Sequence, residues 1–274
     1  MMKIVTLVEN TTLSDDYRSK HGLSFYIETA KHKILFDLGQ DDLFIKNSVK
    51  MNIDLTKIDT VIISHGHKDH GGALKEFMKI NSTAKIYVKK EAFESHYIKV
   101  FGLFFNIGLN KKLQYDKQII LVGENLRIDD ELFLFSNVKP VKFTSQSNRK
   151  LYSKKQDQIL LDDFSHEQSM IITSDERSML ISGCSHTGII NILNEANKLV
   201  LNEISVVVGG FHLYNPPTRK YENDELIIEI AEALKEKTAN YYTCHCTGNK
   251  AYKLMKTILG DRLTYLATGS QICI

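Results

Sequence analysis

Several residue types and patterns that mark special classes of protein are rare or missing in this sequence. Its 274 residues include no Trp, three Pro and four Cys. Four cysteines are too few for a disulfide scaffold in a chain of this length. No window reaches the ~18 uninterrupted apolar residues of a membrane span, and the apolar run at 3–8 is too short for a signal peptide. These absences predict a reduced, cytoplasmic protein.

Charge of one sign is not in excess either. Lys and Arg number 35 and Asp and Glu 33, which gives a formal net charge of +2. A protein that coats nucleic acid would carry a large basic excess, so neither nucleic acid nor a membrane is an expected partner. We expect a small-molecule substrate, and the charge balance is compatible with an anionic one. A P-loop and a Gly-x-Ser-x-Gly nucleophile elbow are absent, which disfavours Ser-triad hydrolysis.

Apolar residues make up 43% of the chain and charged residues 25%, which are ordinary values for a globular protein with a sizeable core. The hydrophobic pattern predicts strands at 3–8, 33–36 and 60–63. A helix is predicted near 42–51, and apolar residues at helical spacing predict another at 223–237. The alternation of strands and helices indicates an α/β protein.

Histidine is the residue type that stands out, with ten in the chain. Four apolar, strand-like runs each end in a loop of small residues that bears histidine. These loops carry His65, His186, His212 and His245, and three of them lead directly into a predicted helix. Functional groups in α/β proteins collect beyond the carboxyl ends of strands, so the pattern predicts one shared site.

The first of these loops reads His65-Gly66-His67-Lys68-Asp69-His70. His65 and His67 can point the same way from an extended backbone, and Asp69 and His70 can face a second centre. Neutral imidazole and carboxylate suit a divalent metal such as Zn²⁺, or Fe or Mn. Six residues cannot fill two coordination spheres, so distant ligands are needed. The candidates are His186 and His245.

This motif, placed between a hydrophobic strand and a helix, resembles the signature of the metallo-β-lactamase superfamily. The segment 34–39 is similar to the strand–Asp–x–Gly segment that precedes the signature in that family. Segments 183–186, 209–213 and 245–248 narrow the resemblance to metal-dependent hydrolases related to a dihydropterin-ribofuranosylaminobenzene-phosphate synthase. The resemblance implies an αβ/βα four-layer sandwich, with two mixed sheets and outer helices, formed by a single domain over 1–274.

The resemblance also implies two divalent metal ions, with Zn expected and Fe or Mn as alternatives. The implied ligands are His65, His67 and His186 for the first ion, and Asp69, His70 and His245 for the second. Asp37 is expected to orient a ligand histidine, and Asn10 and His21 are either rim residues of the pocket or caps of their loop.

One place departs from the family pattern. Relatives usually have an Asp that bridges both metals in a Gly-Asp pair, and here the pair is Gly183-Cys184. The usual third histidine precedes that strand, where His166 lies, so His166 is an alternative to His186. Glu167 is either a ligand or neighbouring carboxylate or a solvated charge.

The expected activity is hydrolysis of a small-molecule ester, with a phosphoester favoured, by a metal-activated water. Asp69 would accept a hydrogen bond from the water, and His212 would contact substrate or protonate the leaving group. The alternatives are a synthase like the one named above and a metal-bound sensor without turnover. A di-iron reductase is disfavoured because relatives of that type have Glu where His67 stands.

Two further segments allow several interpretations. The aromatic-rich segment 93–115 is a lid over the metal site, a contact in a homodimer, or a local core cluster. Cys244 and Cys246 lie two apart in a strand-like run. They are either buried reduced thiols or reactive, metal-binding ones.

Overall fold

The computed structural model describes residues 2–174 and 177–274. These residues group into two compact units. Unit 1 comprises residues 2–123, 150–166 and 266–274, and unit 2 comprises 124–149, 167–174 and 177–265. Each unit contains a seven-stranded sheet and a hydrophobic core of its own.

The strands within the described residues, in chain order, are β1 (Lys3–Val8), β2 (Ser24–Glu28), β3 (Lys33–Phe36), β4 (Thr60–Ile63), β5 (Lys85–Lys89), β6 (Ser95–Val100), β7 (Leu103–Asn106), β8 (Ile119–Val122), β9 (Leu126–Arg127), β10 (Leu132–Ser136), β11 (Leu151–Lys155), β12 (Gln158–Leu161), β13 (Gln168–Ser174), β14 (Arg177–Ile181), β15 (Ile204–Gly209), β16 (Tyr214–Asn215), β17 (Lys220–Tyr221), β18 (Asn240–Thr243), β19 (Leu263–Tyr265) and β20 (Gln271–Cys273). The helices are α1 (Leu43–Lys50), α2 (Lys68–Gly71), α3 (Leu74–Ile80), α4 (Ile189–Leu199), α5 (Asp224–Lys235) and α6 (Asn249–Leu259).

The main sheet of unit 1 has the order β20-β1-β2-β3-β4-β5-β8. Strands β3, β4, β5 and β8 run parallel, whereas β1 pairs antiparallel with β2 and β20. All four residues of β4 are β-branched and buried, as suits a strand with parallel neighbours on both sides. The loop that follows β4 therefore begins from a rigid position.

A second sheet in unit 1 has the order β12-β11-β6-β7, and its strands β6 and β7 belong to the aromatic segment 93–115. Phe93 is buried in the core of unit 1, whereas the side chain of Phe101 is fully exposed at 101%. Phe104, Phe105 and Tyr115 are also exposed. Most of these aromatic residues therefore do not form a core cluster, and the lid and the dimer contact stay predictions.

The main sheet of unit 2 has the order β19-β18-β15-β14-β13-β10-β9. Strands β14, β15, β18 and β19 are parallel, so their carboxyl ends meet at one edge. Helices α4, α5 and α6 pack apolar residues against the core of this unit. Helix α5 begins after Asn223, whose side chain accepts a hydrogen bond from the Leu226 N–H, a typical N-cap contact.

The predicted elements agree closely with these boundaries. The strands at 3–8, 33–36 and 60–63 have the predicted bounds, and the helices at 42–51 and 223–237 are observed as Leu43–Lys50 and Asp224–Lys235. No helix among the described residues is both long enough and apolar enough to cross a membrane.

Candidate metal centre

Residues 64–72, called the motif loop here, follow β4 in unit 1 and run into α2. His65, His67 and His70 are buried, Asp69 is half-buried, and Lys68 is exposed to solvent. The loop is held by backbone hydrogen bonds in which the Leu23 N–H donates to the Asp69 carbonyl and the Leu38 N–H to the His70 carbonyl. The ligand candidates of the motif are therefore fixed side by side.

Asp37 controls the protonation pattern of the loop. Its Oδ1 accepts a hydrogen bond from the Ser64 N–H, and its Oδ2 accepts one from the Ser64 hydroxyl, both at 2.7 Å. The Nδ1 of His70 lies 2.6 Å from the same Oδ2. Ser64 Oγ lies 2.9 Å from His65 Nδ1, which can donate to it because the hydroxyl proton points to Asp37. A neutral His65 and a neutral His70 then both carry their lone pair on Nε2, the form that metal binding requires.

His65 and His67 face one another through ring nitrogens. The distance from His65 Nε2 to His67 Nδ1 is 3.0 Å. Burial, together with the nearby imidazoles of His166 and His96, holds the pKa of His67 well below its usual value. A neutral imidazole pair that converges on a point fits a cation, so this half of the predicted ligand set suits a metal.

Asp69 belongs to the same group. Its Oδ2 lies 3.6 Å from His70 Nε2 and 3.1 Å from His21 Nε2. His21 Nδ1 in turn lies 3.3 Å from the side-chain oxygen of Asn10. Of the two predicted rim residues, His21 thus contacts the candidate ligand Asp69 directly, and Asn10 contacts His21.

A cluster that the sequence did not predict lies beside His67. His96 and His166 are both buried, and Asp162 Oδ2 lies 3.2 Å from His96 Nδ1 and 3.1 Å from His166 Nε2. Burial alone would raise the pKa of Asp162, but the two histidines lower it far below the usual range. His166 Nδ1 also accepts a hydrogen bond of 2.9 Å from the Gly66 N–H. Both ring nitrogens of His166 are therefore engaged within unit 1.

Gly66 is required by this arrangement. A Cβ at that position would lie 2.6 Å from His96 Nε2 and 2.7 Å from the Ala92 carbonyl oxygen. His96 thus has a structural role beside the motif loop. The sequence around His96 gives no sign of this role, because the contacts of His96 arise from the fold, in which β6 pairs with β11.

In unit 2, the other three histidine loops follow β14, β15 and β18, which are adjacent and parallel. They carry His186, His212 and His245, all of them buried. The ring centroids of His186 and His212 are 4.1 Å apart. The sequence pattern of strands that end in histidine loops therefore does bring side chains together at one edge of this sheet.

Two side chains fix His186. Glu167 is buried and accepts hydrogen bonds from the His186 N–H at 2.6 Å, the Thr187 N–H at 3.0 Å and the Thr187 hydroxyl at 2.7 Å. Asn148 donates to the His186 carbonyl, and its Oδ1 lies 3.1 Å from His186 Nδ1. A neutral His186 then carries its proton on Nδ1 and its lone pair on Nε2. The prediction that Glu167 is a solvated charge is wrong, because its buried carboxylate holds the loop that carries His186.

The cysteines of unit 2 are placed differently from the prediction. Cys244 follows the end of β18 and Cys246 lies in a 3-10 turn, His245–Thr247, so the two do not share a strand. Cys246 Sγ instead accepts a hydrogen bond from the His212 N–H at 3.3 Å and lies 3.5 Å from the Cys184 carbonyl oxygen. Burial would raise the pKa of the Cys246 thiol, but hydrogen bonds with Cys184 and His212 hold it well below its usual value.

Comparisons with known proteins agree with the motif. The sequence profile of the metallo-β-lactamase superfamily matches residues 19–143. A solved metal-dependent hydrolase of the β-lactamase superfamily is 28% identical, covers 100% of this chain and 99% of its own, and superposes with a TM-score of 0.85. The chain therefore has the fold of the metallo-β-lactamase superfamily. The predicted α/β class of this superfamily is therefore confirmed.

Two other proteins are informative. The 7,8-dihydropterin-6-methyl-4-(beta-D-ribofuranosyl)-aminobenzene-5'-phosphate synthase of Methanocaldococcus jannaschii is 29% identical over 99% of this chain and 96% of its own. The solved Zn²⁺-bound PqqB from Methylobacterium extorquens is 9% identical with a TM-score of 0.58, covers 99% of this chain and 100% of its own, and shares the fold. Members of the superfamily usually bind divalent metal ions, and the described residues supply suitable groups of His, Asp and Cys.

Proposed function

We propose that this chain is a metal-dependent hydrolase that uses a metal-activated water to cleave a small-molecule ester, most favourably a phosphoester. The observation that supports this most is the Asp37 network, which prepares Nε2 of both His65 and His70 for a cation. When bound, divalent metal ions supply Lewis acidity and a water of lowered pKa. Zn is the proposed metal, with Fe and Mn as alternatives.

The proposed ligands are those that the superfamily motif implies. They are His65, His67 and His186 for one ion, and Asp69, His70 and His245 for the other. His186 is preferred to His166 for a chemical reason. Asn148 holds the proton of His186 on Nδ1, which leaves the Nε2 lone pair for a metal. In His166, by contrast, Nδ1 is hydrogen-bonded to Gly66 and Nε2 to Asp162.

The remaining roles belong to side chains that move or hold protons. Asp69 is proposed to accept a hydrogen bond from the attacking water, and its contact with His21 positions the carboxylate. His212 is proposed to protonate the leaving group. Ser147 Oγ lies 3.3 Å from His212 Nε2 and is hydrogen-bonded to Ser145 Oγ, and the Ser145 hydroxyl donates to Glu222, so two hydroxyl groups connect the imidazole to a carboxylate.

A second candidate function rests on the similarity to the synthase over almost the whole chain. In that case the same residues would serve to join a phosphoribosylated aminobenzoate to a pterin alcohol. The two candidates share the metal ligands and differ in the reaction. A metal-bound sensor without turnover is the outcome if neither reaction is found.

The test is a screen of metal-replete protein against phosphodiesters, phosphomonoesters, thioesters and lactones, with the two synthase substrates as a separate arm. Hydrolysis that is abolished by a chelator and restored by Zn²⁺, Fe²⁺ or Mn²⁺ is the expected result. Condensation of the pterin and aminobenzoate substrates without any hydrolysis would replace the proposal by the synthase. Bound metal with neither activity would favour the sensor.

A further inference from the structure

Unit 2 contains a cavity that the proposed reaction does not use. Its volume is about 960 Å³, and it lies between helix α4 and the segment 137–143, which follows β10. Cavities of roughly 300–1,000 Å³ are the size in which proteins bind small molecules. The lining, as far as the structure describes it, includes neither a proposed metal ligand nor His212. The cavity is therefore a candidate site in its own right.

Hydrogen bonds between α4 and the segment 137–143 fix the wall of this cavity. Asn191, in the first turn of α4, donates through Nδ2 to the Lys142 carbonyl and to the Thr187 carbonyl, both at 2.7 Å. Its Oδ1 accepts a hydrogen bond of 3.4 Å from the Lys142 N–H. A Cβ at Gly188 would lie 2.8 Å from Asn191 Nδ2 and 3.1 Å from the Phe143 carbonyl oxygen, so glycine allows this close approach. The cavity is thus formed by bonded backbone and not by surface side chains alone.

The segment 137–143 also contains backbone conformations that cost energy. Asn137 has a φ of 60° and Phe143 a φ of 57°. Asparagine tolerates the left-handed region, whereas for a bulky residue such as phenylalanine this conformation is an outlier. Such residues cost roughly 1–3 kcal/mol each and persist where the surroundings hold them, often at a ligand site. The shape of this wall is therefore kept at a cost in stability.

Positive charge exceeds negative charge on the lining of the cavity. Lys139, Lys142 and Lys198 line it, together with the carboxylate of Glu195. Glu195 Oε2 lies 2.8 Å from Lys198 Nζ, so these two charges offset each other. Lys139 and Lys142 have no ion-pair partner among residues 2–174 and 177–274. Two ammonium groups on one wall attract an anion, and lysine binds phosphate groups as a point charge.

The rest of the lining consists of apolar side chains and amides. Ile190 is buried, and Val138 and Phe143 are half-buried, so the cavity offers apolar surface to a ring. Asn137 and Asn194 also line it and are exposed. An amide donates and accepts hydrogen bonds at once, which suits the polar edge of a nucleobase. The lining thus combines apolar surface with a few polar groups, as in small-molecule sites.

We propose that this cavity binds a mononucleotide, with the base against the apolar side chains and the phosphate between Lys139 and Lys142. The charge excess selects an anion, and the apolar surface selects an anion that carries a ring over inorganic phosphate. The site does not rest on the proposed hydrolysis, because its residues take no part in that reaction.

Isothermal titration calorimetry tests the site with the phosphonate analogues of AMP, GMP, CMP and UMP. Their P–C bond is not a phosphoester, so the proposed activity does not consume them. We expect at least one analogue to bind with one molecule per chain. The dissociation constant should rise at least tenfold in the Lys139→Glu/Lys142→Glu variant, because both cations that face the phosphate are then replaced by anions.

Two control variants separate this site from the metal centre and from a general effect of charge. His65→Ala/His67→Ala removes two proposed metal ligands and should keep the dissociation constant of the wild type. Lys111→Glu/Lys112→Glu reverses two adjacent exposed lysines of unit 1, and it should also leave the dissociation constant unchanged. Loss of binding in the histidine variant would assign the phosphonate to the metal centre and overturn the site.

Three further results would overturn the proposal. The first is that none of the four analogues binds. The second is that the affinity is the same in Lys139→Glu/Lys142→Glu as in the wild type. The third is that inorganic phosphate or adenosine alone binds as tightly as the AMP analogue, because the site requires the ring and the charge together.

Discussion

The two units carry their metal-binding candidates in contrasting ways. In unit 1, His65, His67, Asp69 and His70 come from one loop at the end of one buried strand, and the donors are nitrogen and oxygen. In unit 2, the candidates come from three loops at the ends of three parallel strands, and sulfur joins the imidazoles.

The difference shows that residues of one site can be brought together either by their closeness in the sequence or by the order of strands in a sheet. A single loop produces a short motif that is easy to recognise and is rigid because its backbone is bonded to its neighbours. Three loops produce no motif, since the residues are separated by tens of positions, and each loop must be anchored on its own. Unit 2 does so with Glu167, whereas unit 1 uses Asp37.

The largest expected effect comes from removing the motif of unit 1. The double variant His65→Ala/His67→Ala removes two proposed ligands at once. The loss of activity should exceed the roughly 10–100-fold loss that is typical when a residue that only orients a ligand is changed. Elemental analysis measures the metal content, and a turnover assay measures the loss of activity. His32→Ala is the control, because His32 pairs with Asp59 away from the motif loop. Unchanged metal content in the double variant would contradict the assignment.

Asp37→Asn should have the next largest effect. The amide cannot accept from both Ser64 and His70 as the carboxylate does, so the tautomers of His65 and His70 are no longer fixed. We expect metal affinity to fall by roughly 10–100-fold with the fold retained. Competition with a chelating dye measures it.

The matched control for Asp37→Asn is Asp59→Asn, which alters a carboxylate paired with His32 in the same unit. Equal affinity in the Asp37 variant and the wild type would show that the network is structural only. A comparable loss in the Asp59 variant would show that carboxylate removal acts non-specifically.

Much of unit 1 could be predicted because its information is local. The β-branched strand β4 and the dense motif after it stand next to each other in the sequence, and helix periodicity located α1. The role of His96 could not be predicted, because the contact with Asp162 depends on the pairing of β6 with β11, more than fifty residues apart.

The sequence predicted that the four histidine loops would form one shared site, and the parallel order of β14, β15 and β18 brings three of these loops to one edge of the sheet in unit 2. It did not predict that Cys246 lies beside Cys184 and His212, because Cys246 was assigned to a strand, whereas it lies in a 3-10 turn. For Glu167 the sequence left two alternatives open, since a charged residue at the start of a strand gives no sign of burial.

Glu167→Gln tests the anchor of unit 2 and should have a moderate effect. Two N–H donors and one hydroxyl point to this buried carboxylate, and an amide would present N–H to at least one of them. A loss of about 1–3 kcal/mol in the free energy of unfolding is expected. Urea denaturation measures it, with the exposed Glu229→Gln as control. Equal free energies of unfolding for the two variants would show that Glu167 does not stabilise this loop.

The smallest effect on stability is expected at the exposed aromatic tip of unit 1. The turn after β6 carries Phe101, which is fully exposed, and β7 begins with Leu103, which is 64% exposed. Changing both to serine should alter the free energy of unfolding by no more than about 0.5 kcal/mol. Yet the segment is connected to the motif loop, because the Lys68 N–H donates to the Ile107 carbonyl at 2.7 Å.

We therefore expect Phe101→Ser/Leu103→Ser to raise KM with metal content unchanged, as a lid that contacts substrate would. Steady-state kinetics and elemental analysis decide this, and Leu201→Ser, another fully exposed apolar residue, is the control. A dimer that becomes a monomer in light scattering, with KM unchanged, would assign the tip to a subunit contact instead. We favour the lid over the subunit contact, because the metal-binding candidates of unit 1 lie on a single loop, and a neighbouring segment is then needed to exclude water from them.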